Sequence, residues 1–183
     1  PMSTFVHLRL HTEYSLIDGL LRIKPMMARV AELGMPAVAI TDHHNFFGLV
    51  KAYKAASELG IKLIIGADLH VVDPIDDDRH HELCLLAQND KGYQNLMLLL
   101  SRAYQQGQHL GRPRVRLEWV RDHAEGLIAL SGGRQGDIGQ ALLHGRESDA
   151  RAALGRWCEW FPDRFYLEIQ RTGREDEEDY LHA

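Results

Sequence analysis

Short apolar runs alternate along the chain with longer segments whose apolar residues recur at helical spacing. Short continuous apolar runs are typical of strands that are buried on both faces. Because predicted strands and helices alternate, the pattern predicts an α/β fold with a mainly parallel sheet or barrel. The runs predicted as strands are Phe5–Leu10, Ala37–Ile40, Lys62–Ile65 with an extension at Leu69–Val72, Glu82–Ala87, Leu127–Leu130 and Phe165–Ile169.

Proline and glycine mark the boundaries of the predicted helices. Pro25 suits a first helical turn, and Gly34 and Gly60 each follow the last residue of a predicted helix. Asp90 is predicted to cap the longest helix, and the glycine-rich, basic stretch 107–114 is predicted to be a loop. The predicted helices are Met26–Leu33, Phe47–Leu59, Asp90–Gln105, Leu117–His123, one that ends near His144, and Ser148–Phe161.

The composition is that of an ordinary soluble globular domain. With 183 residues, 45% of them hydrophobic and 26% charged, the chain excludes a disordered tail, a collagen-like fibre and a disulfide scaffold. Cys84 and Cys158 are predicted as buried thiols, and the lack of a signal sequence or membrane-spanning run favours a cytoplasmic protein. Pro1, ahead of Met2, is interpreted as an added residue. The net charge of -5 argues against this chain alone binding a phosphate backbone.

Polar side chains follow three consecutive predicted strands. His11 and then Asp18 follow the first strand, Asp42 and His43 follow the second, and Asp68 follows the third. Because the carboxyl ends of parallel strands meet at one rim, we expect these side chains to converge. Imidazoles and carboxylates suit a divalent ion such as zinc or manganese, which favours phosphoester hydrolysis. The alternative is that Asp42 caps the following turn or helix, that Asp18 forms a turn, and that the histidines are solvated.

Other motifs carry weaker signals. Asp76–Asp78 is predicted to be a solvated hairpin tip, beside which His80 and His81 would bind metal only adventitiously. Ser131–Gly136 is similar to an anion-binding loop but lacks the Walker pattern. Arg171–Arg174 is interpreted as an exposed basic turn, and the alternative is that it binds a phosphate or a partner carboxylate. Serine-triad, dithiol and dinucleotide motifs do not occur in the sequence, so those chemistries have no support.

Two motifs near the N-terminus resemble those of a known family. His7–Ser15 with Ile17–Gly19 resembles the first motif of PHP (polymerase and histidinol phosphatase) domains, and Ala39–His43 with Asn45 and Gly48 resembles the second. Within that family the chain is most similar to the N-terminal PHP domains of the alpha subunits of bacterial DNA polymerase III, the replicative polymerase. This closer resemblance rests on Leu85–Asn89, Gly92–Leu96, Leu130–Arg134, Phe161–Glu168, Arg171–Arg174 and Tyr180–His182.

The resemblance implies an α/β fold of the PHP type, a distorted (β/α)7 TIM-like barrel. Closed α/β barrels need at least about 200 residues. Residues 1–183 are therefore expected to form a partial PHP domain that is truncated at its C-terminus. The palm, fingers and later domains of such a polymerase are expected to lie outside this chain.

The metal site of the family maps only partly onto this sequence. Intact sites begin with His-x-His, and Arg9 stands in place of the first histidine. Gly133 stands where metal-binding relatives have cysteine, and the last motif, Asp-x-His, would lie beyond Ala183. The resemblance implies no catalytic residue and no cofactor-binding residue in this chain. The metal-ligand candidates that it implies are His11, Asp18, Asp42, His43, Asp68 in place of a glutamate, and Glu82 in place of a histidine.

Arg9 is expected to degrade this site, because a permanent positive charge replaces a neutral ligand. In a shielded site its repulsion of a dication is on the order of several kcal/mol at a moderate effective dielectric constant. We expect Arg9 to pair instead with Asp18, Asp42 or Asp68. The site is therefore predicted to be degenerate and largely structural, with at most weak zinc or manganese binding.

The resemblance favours one function over two alternatives. It implies that the chain is part of a DNA-directed DNA polymerase, which is a nucleotidyltransferase. Such a polymerase is expected to use magnesium in another domain, so this chain alone is predicted to be inactive. The implied role is that of a structural and docking domain for the proofreading exonuclease subunit (epsilon) of the polymerase III holoenzyme, with DNA bound mainly by other domains and no membrane contact. The alternatives are a metal-dependent phosphoesterase or pyrophosphatase of the PHP superfamily, and a generic binding domain.

Overall fold

The computed structural model describes residues 5–15 and 19–170. By its contacts the chain divides into two compact units, Pro1–Asp68 and Leu69–Ala183. Strand pairing is parallel between β1 (Ala37–Ile40) and β2 (Lys62–Val72) and also between β6 (Leu127–Leu130) and β7 (Phe165–Tyr166). It is antiparallel between β3 (His80–Ala87) and β6. The architecture is therefore a mixed α/β fold that is rich in parallel pairing.

The first unit packs two helices against a parallel strand pair. α1 (Ile23–Glu32) precedes β1, and α2 (Leu49–Leu59) connects β1 to β2, as the apolar pattern predicts. The register runs from Ala37 opposite Lys62 to Ile40 opposite Ile65. The continuous apolar run of β1 is explained by the burial of all four of its residues. The core of this unit consists of Ile23, Met26, Met27, Val30, Val38, Ile40, Ala52, Ala55, Ala56 and Ile61.

The N-terminal segment 5–10 lies beside β1 but forms only an isolated bridge, between His7 and Val38, where a full strand was predicted. The Ala39 N–H donates to the His7 carbonyl at 2.8 Å, and the Thr41 N–H donates to the Leu10 carbonyl at 2.9 Å. Because of these two hydrogen bonds, segment 5–10 runs alongside β1, and residues 11–15 lie near the carboxyl end of that strand.

The second unit begins where β2 continues past Asp68. Its elements after β3 are α3 (Asp90–Gln106), the short strands β4 (Gln108–His109) and β5 (Arg112–Pro113), α4 (Leu117–Asp122), β6, a 3-10 turn (Gly133–Gln135), α5 (Asp137–Leu143), α6 (Glu147–Trp160) and β7. Trp157 on α6 is 2% exposed and stacks on Phe165 with ring centroids 6.1 Å apart. Its Nε1–H donates to Asp137, which connects α6 to the start of α5.

Four local predictions are corrected by the structure. The cap of α3 is Asn89, whose side chain accepts from the Gly92 N–H at 3.0 Å, so that Asp90 is the first helical residue. The predicted loop 107–114 contains the β4–β5 hairpin, and the last strand has two residues where five were predicted. Cys84 is buried as predicted, but Cys158 is exposed because it lies on the outer face of α6. Among the described helices, none has both the length and the hydropathy that a membrane crossing requires.

Candidate metal site

The candidate site lies in the first unit, where β1 ends and β2 reaches Asp68. His43 and Asp68 form an isolated parallel bridge. The Asp68 N–H donates to the Asp42 carbonyl at 3.2 Å, and the His44 N–H donates to the Asp68 carbonyl at 3.1 Å. The backbone thus fixes His43 beside Asp68, and residues 11–15 approach both from the N-terminal segment.

Three potential metal ligands converge here. One ligand atom from each of His11, His43 and Asp68 lies within 4.8 Å of the other two. The two imidazole rings lie 4.3 Å apart between centroids. His11 Nε2 lies 2.5 Å from Asp68 Oδ2, which is a short hydrogen-bond distance. Three of the six metal-ligand candidates therefore form one cluster, which we call the His11–His43–Asp68 cluster.

Arg9 contacts the carboxylate of this cluster. Its Nε–H donates to Asp68 Oδ2 at 2.7 Å, and the side chain of Asp68 is 1% exposed against 14% for that of Arg9. Of the three aspartates expected as possible partners for Arg9, the structure therefore pairs it with Asp68. A guanidinium now shares the oxygen atom that His11 also contacts, so two donors compete for Oδ2.

The ionised form of Asp68 is favoured despite its burial. Burial alone would raise the pKa of this carboxyl, but the hydrogen bond from His11 and the charge of Arg9 outweigh it and hold the pKa below its ordinary value. The second oxygen, Oδ1, is buried and accepts no hydrogen bond from a described residue. An unsatisfied buried carboxylate oxygen next to two imidazoles fits a divalent cation such as zinc or manganese, and Arg9 weakens that fit by repulsion.

Asp42 has a different role in the structure. Its oxygens accept the Thr12 N–H at 2.6 Å, the Thr12 hydroxyl at 2.7 Å and the Ser15 hydroxyl at 2.9 Å. The Ser15 hydroxyl in turn accepts the His43 N–H at 3.1 Å. Asp42, Thr12 and Ser15 are all buried. Asp42 therefore holds the 11–15 segment and His43 in place, and it is not a member of the His11–His43–Asp68 cluster.

The remaining predicted site residues are either outside the described residues or part of the second unit. Asp18 is outside the described residues, and Glu82 belongs to the second unit, on β3. Gly133 begins the 3-10 turn with φ of 56°, and a Cβ built there would approach the Gln170 side chain to 3.0 Å. That left-handed backbone disfavours the cysteine that intact relatives are expected to have at this position.

The hydroxyl groups that hold Asp42 are the part of the site that the sequence did not reveal. Thr12 and Ser15 stand among the polar residues after the first predicted strand, but nothing in the pattern assigns them a partner 27 or 30 positions away. The only signal is that both are small hydroxyl residues, one before and one after Glu13, and that hydroxyl groups readily donate to a carboxylate.

Comparison with known proteins identifies the family. The family model described as PHP domain matches residues 7–172. This chain belongs to the PHP domain family. As a PHP domain it is 53% identical over 180 residues to DNA polymerase III subunit alpha of Pseudomonas aeruginosa and 50% identical over 179 residues to that of Escherichia coli K12. Each match covers 98% of this chain and 15% of the relative, so the PHP domain spans a small part of their length.

A solved structure of similar fold supports the assignment of the architecture. A crystal structure from Bifidobacterium adolescentis, named as a candidate metal-dependent phosphoesterase, matches with a TM-score of 0.62 and 16% identity. The match covers 100% of this chain and 83% of that chain. At this identity the likeness shows a shared PHP-type α/β fold and carries no statement about activity.

Proposed function

We propose that this PHP domain is the PHP part of a DNA polymerase III alpha subunit and acts there as a structural and docking domain. The identity of 53% over 180 residues to such a subunit supports the assignment to a DNA-directed DNA polymerase. Magnesium-dependent nucleotidyl transfer, and most DNA binding, would belong to other parts of that subunit. The partner that we propose is the proofreading exonuclease subunit (epsilon) of the polymerase III holoenzyme, in the cytoplasm. We further propose that the described strands belong to a distorted (β/α)7 barrel.

The single observation that carries the structural role is the pairing of Arg9 with Asp68 at 2.7 Å. A metal-dependent hydrolase needs that carboxylate for its cation, and here a fixed guanidinium already neutralises it. The domain therefore keeps the shape of a PHP site while its charge is balanced from within the chain. Any zinc or manganese would be bound weakly by His11, His43 and Asp68 Oδ1.

The proposed docking surface is an apolar patch on the first unit. Phe47, Val50 and Tyr53 are spaced three residues apart at and along α2, and they are 70%, 81% and 67% exposed. Large apolar side chains grouped in this way are unusual on a surface that stays in water and are typical of interfaces. We therefore place the contact with the exonuclease subunit on this outer face of α2.

Titration calorimetry of the chain with the purified exonuclease subunit tests the docking role. We expect one-to-one binding that Val50→Asp weakens by about tenfold or more, because a charge enters an apolar contact. Ile75→Asp, at a 92% exposed position of the second unit, is the matched control and should leave binding unchanged. A folded chain that does not bind the exonuclease subunit would contradict the docking role, and equal losses in both variants would contradict the α2 surface.

A metal-dependent phosphoesterase is the second candidate. It is favoured by Asp68 Oδ1, which lies beside two imidazoles and accepts no hydrogen bond from a described residue. When bound, zinc or manganese would supply an activated water and would polarise a phosphoryl oxygen. His11, His43 and Asp68 would hold the ion, and Arg9 would lie close enough to attract the phosphate. Hydrolysis of a p-nitrophenyl phosphodiester in the presence of manganese that is lost in His43→Ala would establish this function, whereas no turnover by the folded chain would exclude it.

A further inference from the structure

A second polar site lies in the second unit, at the β4–β5 hairpin. A cavity of about 280 Å³ opens there. Its side chains are mostly cationic or hydrogen-bond donating: two arginines, Arg112 and Arg114, and three histidines, His70, His80 and His109. Leu110 and Asp78 complete the lining. None of these residues is part of the His11–His43–Asp68 cluster.

Arg114 is the unusual member of this group, because it is a buried cation. It is 8% exposed, and its Nη1–H donates to the Asp77 backbone carbonyl at 2.7 Å. Its Nε–H is buried without an acceptor, and no carboxylate among the described residues forms an ion pair with it. A guanidinium has five N–H donors, and a buried one that lacks a counter-charge is costly.

The nearby carboxylates do not compensate this charge. Asp78 also lines the cavity, but its side chain is 86% exposed and lies 3.6 Å from His109, so that water screens it. Asp77 contacts Arg114 through its neutral carbonyl, and its own carboxylate lies 4.0 Å from Arg116. Among the described residues no carboxylate balances the charge of Arg114, so an anion that enters the cavity would provide its counter-charge.

The environment of the histidines is consistent with a positive potential. The rings of His70 and His80 lie 4.5 Å apart. Burial lowers the pKa of His80 below its ordinary value, and the neighbouring cations, Arg114 first among them, lower it further. Neutral imidazoles can still donate N–H groups to an anion, and two guanidiniums match the planar, multidentate geometry of a phosphate.

We propose that this cavity binds a phosphate group, with Arg114 and Arg112 providing the charge and the three imidazoles providing further hydrogen bonds. A carboxylate offers two oxygens on one side, whereas a phosphate offers three or four oxygens in different directions, which suits donors from both hairpin strands and from β2 and β3. The ligand is either free inorganic phosphate or a phosphate monoester on a small molecule such as a nucleotide. The site is independent of the proposed metal and docking functions.

The test is an NMR titration of the ¹⁵N-labelled 183-residue chain with inorganic phosphate at constant ionic strength. We expect saturable shifts of the backbone amides of residues 108–112 and 114, with a Kd of about 1 mM or tighter. Arg114→Met should weaken binding by about tenfold or more, and Arg112→Ala, which removes an exposed side chain and is safe for folding, by about fivefold. Arg151→Ala removes the same charge from a 78% exposed position on α6 and should change the Kd by less than about twofold.

A second titration with adenosine 5′-monophosphate distinguishes the two sources of the phosphate. Shifts of the same amides by both ligands support a monoester as ligand, and shifts by inorganic phosphate alone support the free ion. Shifts that do not saturate would overturn the proposal. An unchanged Kd in Arg112→Ala would also overturn it, because Arg112 would then not be part of the site. Equal weakening in Arg151→Ala and Arg112→Ala would overturn it as well, because binding would then reflect net charge alone.

Discussion

Asp42 and Asp68 are two buried carboxylates at neighbouring strand positions, and the first unit uses them differently. Asp42 is 2% exposed, and its donors among the described residues are neutral groups of Thr12 and Ser15. Asp68 is 0% exposed and receives a guanidinium and an imidazole on one oxygen, while the other oxygen has no donor among the described residues. Both oxygens of Asp42 thus accept hydrogen bonds from the framework, whereas Oδ1 of Asp68 accepts none from a described residue and is positioned to bind a metal ion.

The difference shows that burial of an aspartate does not by itself indicate chemistry. Neutral hydroxyl and backbone donors make a carboxylate part of the framework, because they use its acceptor capacity without introducing charge. Charged partners on one oxygen leave the other available and keep the group ionised. The four predictions below test this distinction.

The largest effect is expected for Asp42→Ala. Removing the carboxylate leaves the Thr12 N–H and two hydroxyl groups buried without acceptors, so that the free energy of unfolding should fall by about 3–5 kcal/mol. Urea denaturation followed by circular dichroism measures it. The exposed Asp77→Ala is the control and should change stability by less than about 0.5 kcal/mol. A similar small loss for Asp42→Ala would show that its network is not structural.

Asp68→Ala should affect metal binding more than stability. The cluster loses its only oxygen ligand, and we expect the affinity for zinc to fall by about a hundredfold. The loss in unfolding free energy should be smaller than for Asp42→Ala, because Arg9 and His11 are part-exposed and can be solvated. Competition of each variant with a chromogenic zinc chelator gives the affinities. If the two variants lost zinc equally, the distinction between the carboxylates would fail.

Arg9→His should increase the affinity for zinc. The change removes the positive charge from Asp68 Oδ2 and adds a neutral imidazole, and we expect about a tenfold gain. The same chelator competition measures it. Arg29→His, which replaces an exposed arginine on α1, adds a histidine without touching the cluster and should leave the affinity unchanged. A gain in both variants would point to adventitious binding.

The smallest effect is expected in the acid dependence of stability. Because the pKa of Asp68 is lower in the folded state than in the unfolded state, its stabilising contribution is complete above its ordinary pKa and is lost as pH falls through the lowered value. As pH falls below about 4, the ordinary pKa of an aspartic acid, Asp68→Asn should therefore lose stability less steeply than the wild type. Urea unfolding at several pH values measures this. Parallel curves would contradict the inferred direction of the shift.

The elements of the fold were predictable where one local rule dominated. β1 is a continuous apolar run, and α2 ends at Gly60 with φ of 68°, a conformation that glycine adopts freely. Prediction failed where two neighbouring residues were both good helix caps, as at Asn89 and Asp90. It also failed where two strands pair over too few residues to give a periodic signal in the sequence. The β4–β5 hairpin belongs to the second class, and its turn places Leu110 at φ of 51°, which its sequence does not suggest.

The candidate site was predictable in its composition and not in its connections. His11, His43 and Asp68 each follow a predicted strand, so their proximity was expected from the general rule for parallel sheets, although segment 5–10 forms only a bridge and Asp68 lies within β2. The choice of Asp68 as the partner of Arg9, 59 positions away, depends on tertiary packing that residue spacing does not encode. The same limit hid the role of Thr12 and Ser15.

The contrast between the two cysteines has a practical consequence. Cys84 lies at 0% exposure in the core of β3, whereas Cys158 is exposed on α6. A maleimide dye should therefore label the native chain at a single sulfur without any engineering. The unaltered protein thus carries its own attachment point for fluorescence anisotropy, surface tethering or mass tagging, and each titration described above can be repeated on wild-type material by an independent optical method.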